Sequence, residues 1–162
     1  MTEDTSPASP AIEFLRSAGI AFTVHVCPPD ENVSISDCAR DLNIDEHALV
    51  KTILLEADGK PLIVLMHGDM RASTKELARI TGAKCITPCL PGRIQEYTGY
   101  QAGGISPFGM RHEIPIFMEE TILNLRKIYV NGGRRGYLLG IDPEDVLRVL
   151  RPALVRVGSS RA

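Results

Sequence analysis

The chain has 162 residues, enough to bury one well-formed core, and its 44% hydrophobic and 23% charged content is that of an ordinary globular protein. No apolar run approaches the roughly 18 residues that a membrane-crossing helix needs, so no membrane partner is expected. A net charge of −2 argues against a broad basic face for nucleic acid and against specific DNA binding. Arg111, Arg126, Lys127, Arg134 and Arg135 nevertheless gather in the second half, so any nucleic-acid contact is expected to be local. With 5% aromatic residues and no tryptophan, there is no base-stacking platform.

Residues 1–10 are polar and acidic, unlike a signal peptide, and read as a flexible lead-in to a single domain over 11–162. Ser9-Pro10 places a cap and a first-turn proline before a helix that runs through Ile12, Phe14 and Leu15 and stops at Gly19. Alternation over 20–26 predicts a strand, ended by Pro28-Pro29. Helical spacing follows from Ser36 to Leu42. Next come a strand over 49–57, an Asp58-Gly59 hairpin turn and a returning strand over 62–67. Ser73 and Glu76 have capping-box spacing at the start of a helix that ends at Gly82.

A short strand over 84–86 and a helical turn over 91–97 lead into the glycine-rich half. There, strands are expected over 114–118, 127–131 and 137–141, with a short helical piece over 119–123. Asp142-Pro143-Glu144-Asp145 is a strong helix start because acidic side chains suit the positive end of the helix dipole. That helix runs to Leu150, and a last strand covers 153–157. Irregular interleaving of strands and helices, with hairpins, predicts an α+β (mixed α/β) domain rather than a doubly wound parallel sheet.

The four cysteines, Cys27, Cys38, Cys85 and Cys89, lack the spacing of a zinc site, and no metal or cofactor is expected. They read as reduced, mostly buried thiols in a cytoplasmic protein. His25, His47, His67 and His112 are scattered and read as surface or hydrogen-bonded structural residues. Walker, Rossmann, Gly-x-Ser-x-Gly and His-Glu-x-x-His patterns are absent.

Two features remain. Seven of the fourteen glycines lie between Gly99 and Gly136, in two loops: one holds Gly103, Gly104, Ile105, Ser106 and Pro107, the other Gly132, Gly133, Arg134, Arg135 and Gly136. Such loops either make tight turns or let backbone N–H groups approach an oxygen-rich ligand. Lys51 shares the face of its strand with Leu49, Ile53 and Leu55. A lysine there either snorkels to solvent or lines a functional cavity.

Together Val50-Lys51-Thr52-Ile53-Leu54, Thr98-Gly99-Tyr100, Gly103 to Gly109 and Tyr129 to Gly136 resemble the YbaK/prolyl-tRNA synthetase-associated domain family, in its order and spacing. The likeness runs from about Ala11 to Val157. It implies a mixed, partly barrel-like sheet flanked by helices, and a trans-editing hydrolase that deacylates mischarged tRNA, Cys-tRNA(Pro) or Ala-tRNA(Pro), by substrate-assisted ester cleavage. Lys51 matches the family's essential lysine. Gly103, Gly104, Ile105, Ser106 and Pro107 match its Gly-x-x-x-Pro pocket loop, and Gly132, Gly133 and Gly136 match the second wall. Arg134 and Arg135 fit phosphate contacts to the acceptor end of the tRNA or ordinary solvated charges. Prolyl-tRNA synthetase is the implied protein partner.

Cys27 and Leu138 depart from the cysteine-specific pattern, which has a tyrosine and an acidic residue there, so the amino acid removed is not carried over. Cys27 either shapes the pocket or packs. A non-catalytic accessory protein that binds aminoacyl-tRNA or a synthetase is the rival expectation, and a small-molecule binder that lost the reaction is the third.

Overall fold

The structure is a computed structural model that describes residues 8–27 and 34–160. The lead-in expected over 1–10 falls, for residues 1–7, outside the described residues, as does the strand-ending Pro28-Pro29. The elements in chain order are α1 (Pro10–Ser17), β1 (Thr23–Val26), α2 (Ile35–Asp41), β2 (Leu49–Ala57), β3 (Lys60–His67), β4 (Met70–Ala72), α3 (Thr74–Thr81) and β5 (Ile86–Pro88). Then follow α4 (Pro91–Thr98), β6 (Ile116–Glu119), a 3-10 turn (Glu120–Asn124), β7 (Ile128–Asn131), β8 (Tyr137–Ile141), α5 (Pro143–Leu150), β9 (Ala153–Val155) and β10 (Gly158–Ser160). The main sheet is ordered β1-β8-β7-β2-β3-β6-β9, with β5 also on β2, and β4 pairs β10 in a separate ribbon. β2/β7, β3/β6 and β6/β9 are parallel and the other pairs antiparallel, so the mixed sheet flanked by helices is the expected α+β class.

Local chemistry explains the boundaries. Ser9 Oγ accepts from the Ile12 amide, and Pro10 occupies the first turn, where its missing N–H costs nothing. Ile20 N still bonds Leu15 O after the left-handed Gly19, which delays β1 to Thr23. Asp58 and Gly59 both take positive φ, as a two-residue hairpin turn demands. The Asp58 carboxylate then accepts from the Lys84 and Cys85 amides and removes them from strand pairing, so β5 begins at Ile86 rather than 84. The reciprocal capping box expected at Ser73 is only half made: Ser73 accepts from Glu76 N, while the Glu76 carboxylate pairs with Arg79. The complete box belongs to Ser34 and Asp37, its cap two residues before the expected start of α2 at Ser36.

Period-two alternation splits the apolar residues between the faces of the sheet. Val50, Leu54, Ile63 and Leu65 face a core shared with α1 and α5. Leu55, Leu62, Val64 and Met66 face α3 and the chain's end, against Leu77, Val155 and Val157. A smaller cluster joins Leu49 and Leu138 to Cys27, Cys38 and Ala39. Truncating a fully buried leucine such as Leu49 or Leu65 to alanine costs about 2–5 kcal/mol.

The cysteine expectation is corrected. Cys27 and Cys38 are joined in a disulfide with Cα atoms 5.9 Å apart, and the two free thiols are exposed (Cys85) or half-buried (Cys89). Redox compartment and zinc spacing guided the expectation. What decides the pairing is that β1 ends against the buried face of α2, a contact that no local pattern encodes.

Candidate active site

Parallel strands β2 and β7 pair only at Leu49/Tyr129 and Val50/Val130. β5 takes up the same edge of β2 only from Leu55. The edge between is left without a strand, and a cleft of about 320 Å³ opens there. Lys51 and Thr52, just beyond the paired start of β2, and Asn131, the last residue of β7, line this cleft.

Lys51 sits in a seam of its strand face, between Leu49 of the small disulfide cluster and Ile53 of the α3-side core. It is half-buried, and its Nζ donates to Met70 O at 2.8 Å. That bond holds the ammonium beside the cleft without burying it. Thr52 points to the opposite face; its Oγ1 is, among the described residues, the one buried side-chain polar atom with no hydrogen-bond partner. A buried hydroxyl is costly without a partner.

The two glycine loops meet at the cleft. A Cβ on Gly103, whose φ is +84°, would lie 2.7 Å from the Arg135 guanidinium, and one on Gly104 would lie 3.2 Å from the Arg134–Arg135 backbone. Asn131 brackets them: its Nδ2 donates to Gly103 O at 3.2 Å, and its Oδ1 accepts from Gly133 N at 2.7 Å. Asn131 is buried, and sequence reasoning did not single it out. The available signal was a short polar side chain ending a strand between two glycine loops.

The remaining expected site residues are distributed as follows. Cys27, Lys51, Gly103, Ile105, Arg135 and Gly136 border the cleft, joined by Cys38 and Thr52. Gly104, Gly133 and Arg134 line an adjoining cleft, with the Arg134 guanidinium 5.8 Å from the Tyr137 ring centre. Pro107 borders a third depression near Arg111 and Arg151. Ser106 is fully buried and its Oγ accepts from Phe108 N, which shapes the loop from inside. Gly132 is packed so closely that a Cβ would lie 3.0 Å from Leu139, and its carbonyl accepts from Ser9 Oγ. The Tyr100 hydroxyl donates to Phe108 O, and burial pushes its pKa well above the usual phenol range.

Among the described residues, no histidine or carboxylate borders the main cleft, and its charged side chains are the cations Lys51 and Arg135. His25 bonds Thr23 Oγ1 on β1. His47 and His67 stack on each other beyond Lys51, beside Asp69. Among the described residues, no helix is long and apolar enough to cross a membrane.

A mixed-sheet domain with a cationic, partly backbone-walled cleft at a splayed parallel pair defines a class suited to an oxygen-rich, anionic ligand end. The chain belongs to the aminoacyl-tRNA editing domain family, which matches residues 30–149. It is 27% identical over 119 residues to the "Putative Cys-tRNA(Pro)/Cys-tRNA(Cys) deacylase EbsC" of Enterococcus faecalis, covering 73% of each chain. It is 29% identical over 97 residues to the proline–tRNA ligase of Levilactobacillus brevis; that match takes in 60% of this chain and only 17% of the ligase. A crystal structure described as "a putative trans-editing enzyme for prolyl tRNA synthetase" superimposes with a TM-score of 0.83 at 18% identity, covering 96% of this chain and all of the other. That likeness establishes the shared fold.

Proposed function

We propose that the chain is an aminoacyl-tRNA deacylase acting in trans on mischarged tRNA, with Cys-tRNA(Pro) or Ala-tRNA(Pro) as its substrate. The observation that carries this is the placement of Lys51: a half-buried ammonium anchored on Met70 O beside the cleft that glycine loops and Asn131 wall. The name of the Enterococcus faecalis relative supports deacylation, and similarity to a segment of proline–tRNA ligases supports proline tRNA and a prolyl-tRNA synthetase as partners. The family match at 30–149 lies within residues 11–162, which we treat as one domain.

An aminoacyl ester needs placement and charge stabilisation more than a strong nucleophile. In the proposed reaction a water oxygen, its proton passing to a ribose hydroxyl of the substrate, adds to the ester carbonyl carbon. Negative charge develops on the carbonyl oxygen, the bond to the ribose oxygen breaks, and that oxygen leaves with a proton. Backbone N–H groups of the Gly103–Pro107 loop orient the ester and meet the oxyanion. The Lys51 ammonium steadies this charge or the terminal phosphate, and Arg135 contacts phosphate. Gly136 and Cys27 form the wall that limits the aminoacyl side chain. With a cysteinyl substrate, the thiol sulfur itself can add to the ester carbonyl carbon; the bond to the ribose oxygen breaks, that oxygen takes up the thiol proton, and the aminoacyl group leaves as a cyclic thiolactone.

The test is to incubate the protein with tRNA(Pro) charged separately with cysteine, alanine and proline, beside Lys51→Ala. Hydrolysis of the mischarged species with proline spared, slowed roughly 100-fold or more by Lys51→Ala, is expected. No hydrolysis on any mischarged tRNA refutes the enzyme reading, while hydrolysis undiminished in Lys51→Ala refutes the role of the lysine.

A further inference from the structure

Lys51 is a four-carbon flexible side chain, so the groups that its ammonium bonds fix where it stands, and the acceptor Met70 O is one of them. That acceptor, Met70 O, immediately follows the Gly68-Asp69 turn between β3 and β4. The turn is docked on the segment leading into β2, the strand that carries Lys51 itself. Gly68 N donates to Leu49 O at 2.6 Å and Glu46 O at 3.1 Å, and a Cβ on Gly68 would lie 2.8 Å from Glu46 O. Only glycine lets the two backbones come this close.

Side chains complete the junction. His47 Nδ1 reaches both Asp69 carboxylate oxygens, at 3.0 and 3.1 Å, so it carries a proton and spans from the lead-in segment to the turn. The His47 ring lies on the His67 ring, with centres 3.8 Å apart and planes within 6°. His67 is fully buried. Its Nδ1 donates to His47 O at 2.6 Å, because a carbonyl can only accept. Burial holds the His67 pKa below the usual value, and its Nε2 is hydrogen-bonded with Thr121 Oγ1 at 2.8 Å.

This geometry argues against a shared metal ion, although three ligand types converge. Both His67 nitrogens are already bonded, and stacked imidazoles direct their lone pairs along parallel lines rather than to one point.

We infer that His47 and Asp69, backed by His67, are positioning residues that fix the Met70 carbonyl and through it hold the Lys51 ammonium at the cleft. The inference rests on the role proposed for Lys51, but its physical content is testable without activity. The only route from Asp69 to Lys51 that it invokes is the turn, so damage at Asp69 must appear at the lysine.

The experiment uses the full chain with lysines ¹³C-dimethylated, the Lys51 signal being assigned by its loss in Lys51→Arg. Asp69→Ala is expected to move that signal towards the position of solvent-exposed lysines, and Asp69→Asn, which keeps an acceptor for His47 Nδ1, to leave it in place. In parallel, Asp69→Ala is expected to lower kcat for deacylation of mischarged tRNA roughly 10- to 100-fold with KM within about twofold, and Asp69→Asn to recover most of the loss. Should Asp69→Ala fail to fold, His47→Phe keeps an aromatic ring to lie on His67 while removing the imidazole and its Nδ1–H. A Lys51 signal unmoved in a folded Asp69→Ala or His47→Phe variant overturns the inference. If wild type deacylates nothing while the signal moves as expected, the functional reading fails and the positioning stands.

Discussion

Asn131 gives the sharpest test of how the two glycine loops are held together. Its amide makes two bonds from a buried position, one to each loop: a local one to Gly133, two residues on, and one to Gly103, 28 residues away. Asn131→Ala removes both. The Gly103 carbonyl belongs to an exposed residue on the cleft, so water replaces that bond at little cost. The Gly133 amide is half-buried and loses its 2.7 Å partner, a loss worth about 1–3 kcal/mol. We therefore expect a destabilisation of about 2 kcal/mol, which in a chain of this size is a fall in Tm of about 4–8 °C. Asn131→Asp keeps the oxygen that Gly133 N needs and is expected to recover most of this stability. It sets a carboxylate oxygen against Gly103 O, so the first loop is still released and deacylation stays low. Urea denaturation at constant m measures the energy, and hydrogen exchange at the Gly133 amide reports the bond itself. If Asn131→Ala lies within about 0.5 kcal/mol of wild type, or Asn131→Asp is as unstable as Asn131→Ala, the bracket does not hold the loops.

Three further outcomes follow from the same coordinates. Thr52→Val removes a buried hydroxyl that lacks a protein partner, so Tm is expected to hold or rise by a few degrees while kcat/KM falls; a loss above about 1 kcal/mol refutes the unpartnered state. The Cys27–Cys38 bond spans 11 residues of sequence, so loop-closure entropy predicts that reduction, or Cys27→Ser with Cys38→Ser, costs about 3 kcal/mol; a Tm insensitive to reductant in wild type contradicts it. Burial first, and the neighbouring His47 ring, lower the His67 pKa against the opposing pull of Asp69 and Glu119, and burial and Lys127 lower that of His25. Both groups bind a proton more readily when unfolded, so stability present above about pH 6.5 is lost as pH falls below it. The Tm measured from pH 7.5 to 5 should decline in wild type and decline less in His67→Gln; identical slopes exclude a contribution from His67.

Much of the fold was legible because it is written locally. Ser9-Pro10, Asp58-Gly59 and Asp142-Pro143 punctuate the chain by backbone rules that need no partner. The strand over 49–57 follows from its apolar run. What was missed depends on distant partners. β4 and β10 are three residues each, and Gly158-Ser159-Ser160 has no apolar signal; they are strands because they pair each other 88 positions apart at Arg71 and Ser159. Ser9 reads as a helix cap, and nothing local indicates that its hydroxyl also donates to Gly132 O, 123 residues away. The site divides in the same way. Lys51 was visible as a charge on an apolar face, and the glycine loops as a cluster. The stacking of His47 on His67, which looked like two unrelated histidines, exists only once the β3–β4 turn folds back on the start of β2.

The distribution of charge bears on which chemistry the cleft can support. Its two cations stand at residues whose neighbours along the backbone are strand and glycine loop, and the described lining contains no imidazole or carboxylate. In the proposed reaction the proton moves between groups of the substrate while the protein supplies position and positive potential. Such a division of labour makes geometry the scarce quantity. An ester already prone to hydrolysis gains most from donors fixed in advance, and the described contacts of the site serve that end: Met70 O for Lys51, Asn131 for the two loops, and the close approach of Gly103 to Arg135. A β-carbon at Gly103 would push the guanidinium away from the loop, so the same glycine that permits the turn also sets how near that cation can stand to the loop backbone.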